Sequence, residues 1–128
     1  MSEKKVRVAL LGRLYDEDDA GESIESQKEI LRTAAKNKNC LIVDEFWEEN
    51  VSPDCPLEDR TAIRRLLTSV WNNELIIDGV FMARLTDLGW TNRKEHLTLI
   101  TFFEQNNLSI VTFDETYDPD VWIGGCSL

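Results

Sequence analysis

Leu75-Ile76-Ile77-Asp78-Gly79-Val80-Phe81-Met82 is the strongest candidate for a buried strand in the chain, and Ala83-Arg84-Leu85-Thr86-Asp87 follows it directly. A short, nearly continuous apolar run suits a strand covered on both faces. Upstream, Asp59 is placed to cap a helix that sets Ile63, Leu66, Leu67 and Val70 on one side. Downstream, a loop over about residues 83 to 91 leads to a helix built on Leu97, Leu99, Ile100, Phe102 and Phe103 and ending at Asn106-Asn107. Leu108-Ser109-Ile110-Val111-Thr112-Phe113 then reads as another strand, followed by an irregular tail with room for one more strand at about 121 to 123.

The first half repeats the alternation. Val6-Arg7-Val8-Ala9-Leu10-Leu11 reads as a central strand ending near Gly12, and the acidic stretch from Tyr15 to Glu22 as a surface loop. Ser23 is a helix cap, and Ile24, Ile30, Leu31 and Ala34 give near-helical spacing over about residues 23 to 37. Cys40-Leu41-Ile42-Val43, continued by Phe46 and Trp47, is a second strand. Glu48 to Glu58, with Pro53 and Pro56, is expected to be an extended loop. Strand and helix therefore alternate, and parallel strands need such crossovers. The expectation is one α/β domain over residues 1–128, with three layers and a mainly parallel four- or five-stranded sheet flanked by helices.

Composition narrows the function. With 128 residues, 42% hydrophobic and 30% charged, the chain has the balance of one globular domain. No apolar run approaches the roughly 18 residues needed to span a bilayer, and no signal peptide precedes the first strand, so a soluble cytoplasmic protein is expected. Cys40, Cys55 and Cys126 form no C-x-x-C pair, and His96 is the single histidine, so neither a metal nor any other cofactor is expected. Twenty-four acids against fourteen bases give a formal charge of −10. Phosphate backbones attract basic surfaces, so this chain alone is expected to bind DNA weakly, or only within a complex.

Ligands of open α/β sheets gather beyond the carboxyl ends of the strands. Arg13 follows the first strand, Arg84 follows the third, and Arg60 heads the helix after the second, so the three are expected to converge on one edge. Preorganised guanidinium groups stabilise charge developing on a phosphodiester without a metal. Each arginine taken singly is better read as the partner of a neighbouring acid.

The three positions together resemble the catalytic domain of serine recombinases, the resolvase and invertase family. The resemblance runs over about residues 5 to 118. The family's strand, arginine, apolar residue and serine nucleophile match Arg13, Leu14 and Tyr15; its Ser-Leu-x-x-Gln pattern matches Ser23 to Gln27, with Gln27 at the active-site glutamine; its Asp-Arg matches Asp59-Arg60. A Val-Ser-Gly turn after an acidic strand end is similar to Glu48 to Pro53, and the Asp-Arg-Leu-x-Arg box falls on Ala83 to Asp87. The resemblance implies a resolvase-like fold and, for intact members, phosphodiester transesterification during DNA strand exchange.

Departures fall within the same motifs. Tyr15 stands at the nucleophile, Ala83 at the box's aspartate and Asp87 at its second arginine, where exchange of arginine for aspartate changes the local charge by about two units and repels phosphate. A phenol oxygen lies several ångströms farther from the backbone than a serine oxygen, so the arginine geometry would not fit it as nucleophile, and a tyrosine packed over the vacated site is expected. The family's long dimerisation helix and separate DNA-binding domain are also not expected in a chain that stops at Gly124-Gly125-Cys126-Ser127-Leu128. The expected function is thus a non-catalytic, protein-binding module linked to site-specific recombination or a mobile element, with an intact recombinase or a second copy as partner. The alternative is an active recombinase domain whose missing parts are supplied in trans.

Other constellations are weaker. Asp16 to Gly21 has acids at the first and third positions of a calcium loop, but Ala20 and Gln27 occupy two ligand positions. A phospho-receiver needs an aspartate where Met82-Ala83 stands. No GxGxxG, P-loop or G-x-S-x-G occurs, and no small-molecule ligand is evident. Ser23, Ser26 and Ser52 suit caps or turns, His96 an exposed helix face, Trp47 and Trp71 the core or its rim, and Trp90 and Trp122 a partner surface.

Overall fold

A computed structural model describes residues 5–16, 21–52, 55–84, 93–113 and 116–117. The sheet is built on β1 (Val6–Leu14), which is flanked on one side by β2 (Cys40–Glu49) and on the other by β3 (Gly79–Phe81), both parallel to it. Next to β3 run β4 (Ser109–Val111), also parallel, and β5 (Thr116–Tyr117), antiparallel at the margin. The order β2-β1-β3-β4-β5 gives the mainly parallel sheet expected of the alternation.

Side chains alternate across β1, so one strand supplies both cores. Val8 and Leu10 pack with Leu31 and Ala35 of α1 (Ile24–Asn37), whereas Ala9 and Leu11 pack with α2 (Thr61–Trp71) and α3 (Arg93–Gln105) through Ile63, Leu66, Leu99, Ile100 and Phe103. Helices thus cover both faces. The chain reverses its direction of winding between β1 and β3, and this is the place where an α/β sheet opens a crevice beyond its strand ends.

Several local expectations shift. β1 continues past Gly12 through Arg13 and Leu14, because β2 itself runs on through Glu48 and Glu49 and pairs with them; the loop expected from Glu48 begins later. β3 is far shorter than the apolar run that announces it: Ile76 is 56% exposed, and Asp78 turns to accept hydrogen bonds from Arg7 through its backbone N (2.9 Å), Nε (3.3 Å) and Nη2 (3.2 Å). Asp59 does not cap α2. It lies in a 3-10 turn at Leu57–Asp59, and Arg60, in extended conformation, occupies the cap position without a side-chain bond. His96 is buried rather than exposed, while Trp71 is 70% exposed rather than part of the core. The strand expected at 121 to 123, together with Trp90 and Trp122, lies outside the described residues.

Ser23 caps α1 as expected, its hydroxyl accepting from Ser26 N at 3.2 Å. A forked contact then holds this helix to β2: Arg32 Nε and Nη2 donate to the two carboxylate oxygens of Glu45 at 2.8 and 2.7 Å, and Trp47 Nε1 adds a third bond at 3.2 Å. The Arg32 hydrogen bonds, opposed in part by desolvation, hold the Glu45 carboxyl below its usual range. A depressed folded-state pKa stabilises above the ordinary glutamate value, and that stabilisation disappears as pH falls through the folded value. Arg32→Gln is therefore expected to lower the urea midpoint at about pH 7 and to converge with wild type only as pH falls below the ordinary glutamate range and through the lowered Glu45 value; parallel pH profiles for the two proteins would contradict the assignment.

Candidate functional site

The first site segment lies where β1 ends. Asn50, just beyond β2, donates its backbone N–H to Leu14 O at 2.7 Å, and its side chain exchanges two 2.9 Å bonds with Asp16. Asn50 has φ 57°, a left-handed conformation that asparagine tolerates better than most residues. From the first turn of α1, the Gln27 amide holds Tyr15 by its main chain: Oε1 accepts from Tyr15 N at 3.2 Å, and Nε2 donates to Tyr15 O at 2.6 Å and to Glu22 O at 2.9 Å. Gln27 is thus a clasp on the backbone of Tyr15.

The Tyr15 side chain is tied down as well. Its hydroxyl donates to Val51 O at 3.2 Å, and Arg13 Nη2 makes long contacts of 3.4 Å to both the Tyr15 hydroxyl and Val51 O. Arg13 Nε is buried without a hydrogen-bond partner. From β3, Ala83 and Arg84 complete a cavity of about 210 Å³ lined also by Gly12, Leu14, Ile30, Leu31 and Phe113. The structure therefore brings Arg13, Tyr15, Gln27 and Arg84 together beyond the ends of β1 and β3.

Arg60 does not join them. It is 4% exposed, and its Nε and Nη2 donate to Glu48, itself 3% exposed, at 3.0 and 2.5 Å to Oε1 and 3.2 Å to Oε2. Arg60 does not line the cavity; its fork lies on the buried carboxylate of Glu48, which stands beside Arg13 in the β1–β2 register at the same end of the sheet. A charge removed from water is retained only with such a partner. Sequence reading missed Glu48 by assigning it to a loop. The signal was present in its spacing from Phe46, which puts both on the α2 face of a strand. His96 was legible in the same way, since it stands three, four and seven residues before the buried Leu99, Ile100 and Phe103.

Among the described residues no group of histidine, cysteine and acid side chains could hold a metal, and no helix is long and apolar enough to cross a membrane. Asp87 of the arginine box lies outside the described residues. Glu48→Gln leaves the Arg60 guanidinium buried without its counter-charge, so a loss of about 3–5 kcal/mol in urea denaturation is expected; a loss under about 1 kcal/mol would contradict the buried pair.

Comparison with known proteins bears on family and fold. The family model described as "Resolvase, N terminal domain" matches residues 13–124. Among solved structures, the N-terminal catalytic domain of TP901-1 integrase superimposes with a TM-score of 0.69 over 92% of this chain and 85% of that one, at 24% identity. No curated protein sequence matches significantly.

Proposed function

Because the chain belongs to the resolvase N-terminal domain family, we propose that it is a recombinase-type domain without strand-exchange chemistry, acting as a protein-binding module in site-specific DNA recombination. The observation that carries this reading is the state of the nucleophile position. Tyr15 presents a phenol there, already donating to Val51 O, and no serine lines the cavity among the described residues. The expected chemistry begins with a short alkoxide aligned on phosphorus; a phenol held on a backbone carbonyl is neither short nor aligned for that attack.

Charge supports the same reading. Arg60 is committed to Glu48, which leaves Arg13 and Arg84 as the cavity's guanidinium groups. A net charge of −10 opposes approach of a polyanion. The partner on this reading is an intact recombinase or a second copy of the chain, either of which would carry this domain to DNA. The alternative, an active domain completed in trans, draws support from Arg13, Gln27 and Arg84 still meeting in one place.

The isolated chain is expected to bind duplex DNA with a Kd no tighter than about micromolar at physiological salt, measured by fluorescence anisotropy. An intact recombinase is expected to co-purify with the tagged chain from its host after nuclease treatment. Sub-micromolar, salt-sensitive DNA binding by the chain alone would favour the alternative.

A further inference from the structure

We propose that the cavity beyond β1 and β3 is a binding site for a small organic anion with a single-ring apolar body, an aryl carboxylate or aryl phosphate in class. The inference rests on the reading that the site has ceased to process a DNA phosphodiester. Three features carry it: the cavity's size, its mixed lining and an unsatisfied donor.

The volume of about 210 Å³ exceeds the roughly 150 Å³ that suffices for a benzene ring in an apolar cavity. One ring with a compact head group therefore fits. On the apolar side, Ile30, Leu31 and Phe113 line the space; Ile30 and Phe113 are 46% and 39% exposed, so a ring seated against them would remove hydrocarbon surface from water. Arg13 and Arg84 also line it, and a planar, permanently charged guanidinium binds carboxylate or phosphate oxygens in a forked manner.

Arg13 supplies the sign that its donors are under-used. Its Nε is buried with no acceptor, and both contacts of Nη2 are 3.4 Å long, beyond the ordinary range of a good N–H···O bond. Buried donors are normally satisfied, and small ligands of α/β sheets sit at this reversal of strand order. No sequence motif marks the apolar wall, because Ile30 and Leu31 come from α1 and Phe113 from the segment after β4.

The test is titration of the full chain with benzoate and with phenyl phosphate, read by the thermal midpoint and by NMR shifts of the Arg13, Ile30 and Leu31 amides. Acetate, inorganic phosphate and benzamide serve as partial ligands. At least one aryl anion is expected to saturate in about the millimolar range, the tighter one identifying the head group. Each partial ligand should bind at least about tenfold more weakly, since each lacks either ring or charge. Arg13→Gln should weaken binding by about tenfold or more; Ile30→Glu, a change at an exposed position, should do likewise while leaving the unliganded midpoint near wild type. The proposal is overturned if neither aryl anion saturates by about 10 mM, if a partial ligand binds as tightly, or if both variants bind as wild type. A protein–DNA covalent adduct would instead defeat the non-catalytic reading, so the two failures are distinguishable.

Discussion

Enclosure of β1 on both faces and along both edges sets the position of everything that follows. Val8, Ala9, Leu10 and Leu11 are fully buried, with two helices packed on one side and one on the other, and with parallel strands at each edge. A strand held in this way has no freedom of register, because a shift by one residue would send each apolar side chain to the wrong core. Arg13 and Tyr15 at its end are therefore placed by the core, and the neighbouring end of β3 brings Arg84 beside them. Gln27 adds the last constraint by clasping Tyr15 from α1.

Charge is partitioned sharply around this frame. Arg7, Arg32 and Arg60 each engage a carboxylate, and their partners Asp78, Glu45 and Glu48 lie on or beside strands. These contacts tie elements together. Arg60 with Glu48 joins the approach to α2 to the end of β2, and Arg32 with Glu45 joins α1 to the same strand. Arg13 differs, because its hydrogen-bond contacts are to a hydroxyl and a carbonyl, neither of which neutralises its charge. The proposed anion site follows from that contrast.

Much of the fold was legible in the sequence because alternation of strand and helix is a long-range pattern that no single residue controls. α1 was readable to within a residue, since Ser23 is a real cap and the apolar spacing agrees with it. Where reading failed, a tertiary partner had overridden local preference. The run at 75–82 looks like one strand, but Asp78 is captured by Arg7 and only Gly79–Phe81 joins the ladder. Asp59 looks like a cap, but burial of Arg60 against Glu48 puts the cap position one residue later. Of the candidate site, Arg13, Tyr15, Gln27 and Arg84 could be named from motif spacing, whereas the apolar wall of Ile30, Leu31 and Phe113 could not, because it is assembled from α1 and the segment after β4, which are distant in the chain.

The central claim concerns what Tyr15 can do, and a covalent trap measures it directly. The full chain is incubated with nicked duplex substrates that allow a cleaved intermediate to accumulate, and resolved on a denaturing gel beside Tyr15→Phe. The account predicts no protein–DNA adduct for either protein. An adduct formed by the wild type and lost in Tyr15→Phe would contradict it and establish a tyrosine nucleophile within this fold.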